Sequence, residues 1–231
     1  MGQKVRAVSY NVRSFRGGVD DIAEVLAAEA PDLVLIQECG PKPRLARVAE
    51  LLDMDHASSH RMFNRVRNGV LFHAPWRAVD VEVRDLSREG RTIRRGYVSV
   101  VLRAPGYRLT VVSAHLGLGD RERGRHAREL TDYLAGVEGP LVLGMDLNEV
   151  PSGPSARWIA ERFYDAFAEA GDGTGGTLPA RDPTSRIDYV FASDGVAIHG
   201  AWVPDGALVA GASDHRPVVA DLLVEPRAIA P

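Results

Sequence analysis

Residues 212–222 have the sequence ASDHRPVVADL, in which an acid and an imidazole stand side by side directly before an apolar run. The apolar run predicts a buried strand. Pro217 has no N–H to donate to a neighbouring strand, so it suits the first position of that strand. Asp214 and His215 are therefore predicted to lie at the mouth of a strand, where a rigid sheet holds reactive groups without burying them. The alternative for these two residues alone is a polar turn before a strand.

The composition of the chain is that of an ordinary globular protein. With 231 residues, 45% of them hydrophobic and 26% charged, it can bury a sizeable core. The net charge of −3 gives no overall basic field to attract nucleic acid. Lys4 and Lys42 are the only lysines, so nearly all cations are arginines, which suit bidentate phosphate recognition. The single cysteine, Cys39, excludes an internal disulfide framework and a multi-thiolate metal site.

The length allows one large domain or two small ones. Because no internal repeat or long linker interrupts the chain, we predict a single domain over residues 1–231, with a core at about 4–224. No stretch approaches a membrane span, and the first residues form a strand-like pattern rather than a signal-peptide core. We expect a cytoplasmic monomer with no membrane attachment and no protein partner.

Hydrophobic periodicity predicts alternating helices and strands. The predicted helices cover residues 20–30, 44–52 and 120–135 and begin again at 154. The predicted strands cover residues 4–12, 33–36, 69–72, 79–83, 96–102, 109–113, 141–143, 186–191, 201–203 and the run after His215.

Polar side chains stand at the ends of these predicted strands: Asn11, Glu38, His115, Asp146, Asn148, Asp188, Asp214 and His215. Asp146 and Asn148 are two residues apart, so in an extended chain they point to the same face. Carboxylates and amide oxygens without a cysteine cluster favour Mg²⁺ or Mn²⁺. Two histidines with several acids suit proton transfer and stabilisation of charge at phosphorus. Zinc held by His115 and His215 is a weaker alternative, since the acids outnumber the imidazoles and no histidine pair has zinc-like spacing.

Other polar residues lack such a context. We predict surface positions for the remaining histidines, which are His56, His60, His73, His126 and His199. Arg94 and Arg95 are the best candidates for contacts to a substrate phosphate, although a solvated hairpin is the favoured interpretation. Neither a basic surface nor interleaved aromatic residues indicate a dedicated nucleic-acid binder.

Six short motifs, in their order and spacing, resemble those of the endonuclease/exonuclease/phosphatase superfamily, which includes deoxyribonucleases, AP endonucleases, sphingomyelinases and inositol polyphosphate 5-phosphatases. They are SYN at 9–11, QE at 37–38, SAHL at 113–116, GMDLN at 144–148, RIDYV at 186–190 and SDHRP at 213–217. The resemblance spans residues 4 to 224. It implies an α/β fold, a four-layer α/β/β/α sandwich with two packed mixed β-sheets and the site at one end of the sheets.

The resemblance also implies a metal site. Glu38 is similar to the main metal-binding carboxylate of the family, with Asn11 and Asp214 adjoining it. The implied cofactor is Mg²⁺ or Mn²⁺, and the implied reaction is hydrolysis of a phosphoester by direct attack of water, without a covalent intermediate.

The remaining roles are carried over by position. Asp188 resembles the acid that pairs with the histidine at the strand mouth, so the dyad would be Asp188–His215. Asp146 and Asn148 resemble the residues that orient the attacking water and the phosphate. His115 resembles the second histidine, which stabilises phosphate oxygens or assists the leaving group.

His115 also bears on the substrate. The exonuclease III and AP-endonuclease branch has a tyrosine- and asparagine-containing motif there, so this chain resembles the histidine-containing branch instead. The expected activity is that of a phosphodiesterase or nuclease acting on DNA, RNA or another phosphoester. The alternatives are a phosphomonoesterase for a small phosphorylated metabolite or inositol phosphate, and a catalytically silent binding module, although every position expected to carry chemistry is filled.

Overall fold

The computed structural model describes residues 2–58 and 66–226. The strands are β1 (Gln3–Asn11), β2 (Leu33–Gln37), β3 (Asp55–Ser58), β4 (Gly69–Phe72), β5 (Arg77–Asp85), β6 (Gly96–Ala104), β7 (Tyr107–His115), β8 (Leu141–Asp146), β9 (Tyr164–Asp165), β10 (Gly171–Asp172), β11 (Asp188–Ala192), β12 (Val196–Trp202) and β13 (Val218–Val224). The helices are α1 (Val19–Glu29), α2 (Lys42–Leu51), α3 (Asp120–Leu134), α4 (Pro154–Ala160), α5 (Ala166–Ala170) and α6 (Ala207–Ala212), with a short 3₁₀ turn at Arg13–Phe15.

The described strands form two mixed sheets. One has seven strands in the order β10-β12-β13-β1-β2-β4-β3, and the other has six in the order β5-β6-β7-β8-β11-β9. At the centre of the first sheet, β1 runs parallel to β2 and antiparallel to β13. In the second sheet, β8 runs parallel to β7 and antiparallel to β11. The carboxyl ends of β1, β2, β7 and β8 therefore lie at the same end of their sheets as the amino ends of β13 and β11.

Side-chain alternation sorts each central strand into an inner and an outer face. The inner residues of the two sheets meet in one apolar cluster that includes Val5 and Ala7 of β1 and Val142 of β8. Continuing the same alternation by two-residue steps places Asn11 and Asp146 on the inner faces, at the end of their strands. The strand period thus directs the terminal polar residues of both sheets toward one another.

Helices cover the two outer faces. On the seven-stranded sheet, α1, α2 and α6 contribute residues such as Ile22, Leu45 and Val209 to a second apolar cluster. On the six-stranded sheet, α3 and α4 contribute residues such as Leu130 and Ile159 to a third cluster. The predicted four-layer α/β/β/α sandwich is confirmed.

The two sheets approach closely just below their polar ends. A Cβ on Gly144 would lie 2.7 Å from Leu35 Cβ, so only glycine fits at this point. Beside it, Gln37 Nε2 lies 3.3 Å from Ser9 Oγ, from Ser113 Oγ and from the Gly144 carbonyl. Gln37 is fully buried, and its amide therefore links the sheets by polar contacts at a place where side chains leave little room.

The predicted elements agree with the structure in type, and several differ in extent. β7 extends to His115 itself, and β12 begins five residues before the predicted strand at 201–203. The short helices α5 and α6 and the strands β3, β9 and β10 were not predicted, because each is too short to show a clear hydrophobic period. None of the helices in the described residues is long and apolar enough to cross a membrane.

Candidate active site

Asp146 lies where the polar ends of the two sheets meet, and it is almost completely buried. Its Oδ2 accepts a hydrogen bond of 2.8 Å from Asn11 Nδ2 and lies 3.1 Å from His115 Nε2 and 3.9 Å from His215 Nε2. Its Oδ1 accepts a bond of 3.0 Å from the backbone N–H of Asn148. Burial alone would raise the pKa of Asp146, but His115, His215 and Asn11 outweigh it and hold the pKa well below its usual range. The carboxylate is therefore negative at neutral pH.

Asp188 and His215 form a buried pair across the sheets. His215 Nδ1 lies 2.8 Å from Asp188 Oδ2, while Asp188 Oδ1 is buried and has no hydrogen-bond partner among the described residues. Burial lowers the pKa of His215, but Asp188, Asp146 and Asp214 together raise it to about 10. Burial also raises the pKa of Asp188. The raised pKa of His215 favours the imidazolium form at neutral pH, and its Nε2 lies 3.9 Å from Asp146 Oδ2.

His115 is held between an arginine and Asp146. Arg95 Nη1 lies 2.9 Å from His115 Nδ1, and a guanidinium can only donate. Nδ1 therefore accepts this bond, and the other ring nitrogen, Nε2, faces Asp146. The amide nitrogen of Asn148 lies 3.1 Å from the same Nε2 and donates to the Leu116 carbonyl. Arg95, Asp146 and Asn148 thus all contact the ring of His115.

Asn148 reaches the site by a route that differs from the prediction. We predicted an extended chain that places Asp146 and Asn148 on one face, but Asn148 has φ of 60° and lies outside β8. The chain turns there in the left-handed region, which asparagine tolerates better than most residues. The turn is closed by the bond from the Asn148 N–H to Asp146 Oδ1. The prediction of conformation was wrong, although the two residues do lie together.

Glu38 and Asp214 lie on the outer side of the site. Glu38 follows β2 with φ of 52°, and its side chain is 31% exposed, with Oε1 3.5 Å from Arg95 Nη1 and 3.8 Å from His115 Nδ1. Asp214 Oδ2 lies 3.0 Å from Arg13 Nε. The backbone N–H of Arg13 also donates to Asn11 Oδ1, at a distance of 3.0 Å. These contacts bring all the predicted site residues to one end of the sandwich.

Two groups of residues could hold a metal ion. The ligand atoms of Asp146, Asp188 and His215 lie within 4.8 Å of one another. In that group, however, the His215 Nδ1 and Asp188 Oδ2 atoms are already joined by their hydrogen bond. Glu38 and Asp214 line one cavity, and their partly exposed carboxylates are the hard oxygen donors that Mg²⁺ and Mn²⁺ prefer. The predicted donor set therefore fits such an ion.

The cavity beside the site is strongly basic. It has a volume of about 470 Å³, and we call it the arginine pocket because six arginines line it: Arg13, Arg16, Arg67, Arg88, Arg94 and Arg95. Within residues 2–58 and 66–226, Glu38 and Asp214 are the carboxylates that line it. The prediction that the chain has no basic surface was therefore wrong at this place, because an acidic overall balance does not report how arginines cluster.

Three further predictions about burial need correction. The predicted solvated hairpin does not hold for Arg95, which is 8% exposed because it packs under His115. His215 is also buried, since it lies in the closed space between the sheets. His126 was predicted at the surface but is 1% exposed, with Nδ1 accepting from the Gly117 N–H and Nε2 bonded to the Ser87 carbonyl. His56 and His199 are exposed and His73 is partly exposed, while His60 lies outside the described residues.

The sequence analysis missed a buried ion pair behind the site. Arg123 on α3 contacts Glu149, the residue after Asn148, with Nε and Nη2 at 3.0 and 2.9 Å from Glu149 Oε1. No local pattern marks this pair, because its residues lie in different elements. The adjacency of Glu149 to Asn148 was the one available signal.

Comparison with known proteins places these observations in a family. Residues 8–215 match the Endonuclease/Exonuclease/phosphatase family. No functionally curated protein sequence matches the chain significantly. Among solved structures, an endonuclease/exonuclease/phosphatase from Beutenbergia cavernae is 25% identical, with a TM-score of 0.74 over 99% of this chain and 73% of that one.

Two more distant structures share the fold. The mannosyl-6-phosphatase of Bacteroides thetaiotaomicron is 18% identical, with a TM-score of 0.82 over 94% of this chain and 99% of that one. D. rerio TDP2, complexed with a single-strand DNA product, is 14% identical, with a TM-score of 0.78 over 95% of this chain and 99% of that one. The matched region contains every residue of the site described above, and the chain belongs to the endonuclease/exonuclease/phosphatase family.

Proposed function

We propose that the protein is a metal-dependent phosphoester hydrolase whose reaction takes place at Asp146. The observation that carries this proposal is the convergence of three side chains on one carboxylate oxygen. Asn11, His115 and His215 approach Asp146 Oδ2 to 2.8, 3.1 and 3.9 Å, and they come from both sheets. A negative, buried carboxylate surrounded by donors is suited to orient a water molecule beside an anionic substrate.

We assign the metal to Glu38, with Asn11 and Asp214 adjoining it, and we expect Mg²⁺ or Mn²⁺. A bound divalent cation would neutralise charge on the phosphate as attack proceeds. Arg13, which lines the same cavity, pairs with Asp214 and keeps that carboxylate at the cavity. The donor set of oxygens supports this assignment over zinc.

His215 acts as an electrostatic clamp in this proposal. Because its pKa is raised to about 10, it carries a proton at neutral pH and cannot serve as the base in that state. Asp188 holds the ring through Nδ1 at 2.8 Å, which leaves the Nε2–H to donate to a phosphate oxygen. Asp146 accepts from the attacking water, Asn148 orients the phosphate, and His115 donates through Nε2 to a phosphate oxygen or to the leaving group.

The first candidate substrate is a phosphodiester, as in a nuclease of the histidine-containing branch. A phosphomonoester is a second candidate, since the site opens into a bounded cavity of about 470 Å³ rather than onto a flat surface. A solved structure with the same fold is a mannosyl-6-phosphatase, which is consistent with this second candidate.

The test is hydrolysis of bis-p-nitrophenyl phosphate and of p-nitrophenyl phosphate, side by side, with Mg²⁺, Mn²⁺ or EDTA. Metal-dependent cleavage of the diester supports the phosphodiesterase, and cleavage of the monoester alone supports the phosphatase. Asp146→Ala and His215→Ala should each abolish hydrolysis while circular dichroism shows a folded protein. Full activity in either variant would overturn the proposed roles.

A further inference from the structure

The arginine pocket contains more positive charge than one phosphate requires. Six arginines and two carboxylates line it, although acidic residues outnumber basic ones in the chain as a whole. A divalent cation at Glu38 would increase the positive excess. An anionic ligand larger than a single phosphate is the natural counterpart of such a cavity.

The arginines differ in depth and in their existing partners. Arg95 is buried against His115, and Arg94 pairs with Asp85 at 3.0 Å. In contrast, Arg16 and Arg67 are exposed at the cavity, and neither guanidinium pairs with an acid within residues 2–58 and 66–226. Arg95 therefore lies against His115, while Arg16 and Arg67 have charge that no described carboxylate neutralises. Arg88 is also exposed at the cavity, and its guanidinium donates to the Thr92 carbonyl.

The remaining lining favours charge recognition over stacking. No Phe, Tyr or Trp is among the described residues that line the pocket, so these residues present charge rather than a stacking surface. Its volume of about 470 Å³ lies within the usual range for small-ligand sites. A compact, multiply charged molecule fits these features better than a long nucleic-acid strand.

We propose that the arginine pocket selects small substrates that carry a second phosphate close to the one that is hydrolysed. Arg16 and Arg67 recognise the second phosphate, since guanidinium groups bind phosphate oxygens in charge-assisted, bidentate pairs. This inference rests on the proposed function, because it names the substrate class of the same site.

The first experiment compares matched substrates with and without the second phosphate. These are glucose 1,6-bisphosphate against glucose 6-phosphate, and a 5′-phosphorylated thymidine dinucleotide against the unphosphorylated one. We expect kcat/KM to be at least about tenfold higher for one bisphosphorylated member, the value of one charged hydrogen bond. The double variant Arg16→Gln/Arg67→Gln should remove that excess, mainly through KM.

The control variant is Arg77→Gln/Arg103→Gln, which removes the same charge. These two arginines are exposed partners on β5 and β6, at the opposite end of the sheet from His115. The control should keep the preference for the second phosphate. An equal loss in both double variants would overturn the proposal, since overall charge rather than the pocket would then set the preference.

The second experiment separates this proposal from the proposed function by measuring binding instead of turnover. Calorimetry in EDTA compares inorganic pyrophosphate with orthophosphate on the wild-type protein and on both double variants. We expect pyrophosphate to bind at least about tenfold more tightly, and only Arg16→Gln/Arg67→Gln to lose this difference.

The outcomes of the two experiments are distinct. Selective pyrophosphate binding without any hydrolysis would support the pocket and refute the hydrolase. Hydrolysis without a preference for the second phosphate, and equal binding of the two anions, would refute the pocket alone. Tight binding of a single-stranded DNA 10-mer that depends on Arg16 and Arg67, without a preference among the small substrates, would overturn the proposal in favour of a nucleic-acid site.

Discussion

The buried ion pair of Arg123 and Glu149 joins α3 to the loop that follows Asp146. The side chains are 6% and 7% exposed, and the shortest distance between them is 2.9 Å. Arg123 also donates to the Leu118 carbonyl at 2.6 Å. Glu149 Oε2 accepts from the backbone N–H groups of Ser155 and Ala156 at the start of α4, at 2.6 and 3.0 Å. These contacts therefore fix the segments that follow His115 and Asp146 relative to α3 and α4.

The cost of removing one partner follows from this burial. Arg123→Met leaves the Glu149 carboxylate without a counter-ion, and breaking such a pair costs about 3–5 kcal/mol. Because Glu149 keeps two backbone donors, we expect a value near 3 kcal/mol. For a chain of this length that lowers the Tm by roughly 6–12 °C. Adding Glu149→Gln, which keeps an acceptor for α4, should recover part of the loss.

Urea unfolding of the two single variants and the double variant gives the coupling energy. We expect it to exceed about 0.5 kcal/mol, as for residues in direct contact. Because Leu118 and Asn148 would be less firmly placed, Arg123→Met should also lower kcat more than it changes KM, well below its Tm. Arg6→Met, which breaks the Arg6–Asp221 pair on the far part of β1, is the control and should leave kcat unchanged. Additive free energies, or an unchanged kcat in Arg123→Met, would refute the reasoning.

Three further predictions concern single side chains. Asp188→Asn should lower kcat by about 100-fold or more. Because His215 loses the charge that holds its proton, the alkaline limb of the pH–rate profile should also move below about pH 10. An unchanged alkaline limb would contradict the proposed role of His215 as an electrostatic clamp. Glu38→Gln should raise the Mg²⁺ concentration for half-maximal activity by about tenfold or more, measured by metal titration, whereas an unchanged titration would place the ion elsewhere. Burial lowers the pKa of His126, so the unfolded chain binds a proton below about pH 6.5 that the folded protein resists. The contribution of His126 to stability is complete above about pH 6.5 and decreases as the pH falls. The difference in the free energy of urea unfolding between about pH 7.5 and about pH 5.5 should therefore be smaller in His126→Gln than in the wild-type protein. The same difference in both proteins would show that His126 does not contribute to the pH dependence.

The strand-end positions of the polar residues could be predicted because they depend on a local pattern. An apolar run followed by an acid, amide or imidazole identifies a strand and its end, as at Glu38 and Asp146. The period of two then determines which face each residue shares. What the pattern does not contain is the conformation after the strand ends, and for that reason Asn148 was placed on an extended chain instead of in a left-handed turn.

The position of Arg95 depended on register. The turn at Pro105–Gly106 pairs Ala104 with Tyr107, and counting outward along the hairpin sets Gly96 opposite His115. Arg95 must then lie beside His115. The position of Arg95 could therefore have been predicted from the sequence by way of the register of the hairpin. The prediction of a solvated position for Arg95 rested on local polarity alone.

Contacts between distant elements could not be predicted in this way. His126 is buried because the Ser87 carbonyl and the Gly117 N–H both reach its ring, and these partners come from separate segments. Arg123 and Glu149 meet only after α3 packs beside the loop that follows β8. A helical period that places His126 on one face of α3 does not say what lies opposite.

Three assignments stay predictions. They are the single domain over 1–231, the histidine-branch assignment and the roles of the site residues.

The residues of the candidate site come from both sheets. Asn11, Glu38 and His215 come from the seven-stranded sheet or its connections, while His115 and Asp146 end strands of the six-stranded sheet. The Asn11–Asp146 bond of 2.8 Å is therefore a contact between sheets.

Neither sheet alone contributes all the residues of the candidate site described above. The distance between the sheets is set just below the site, where Gly144 lacks a side chain and Gln37 bridges the gap. A site assembled across such a seam needs donors placed to within about half an ångström. The close packing of the two inner faces therefore positions the residues of the candidate site and also forms the core of the fold.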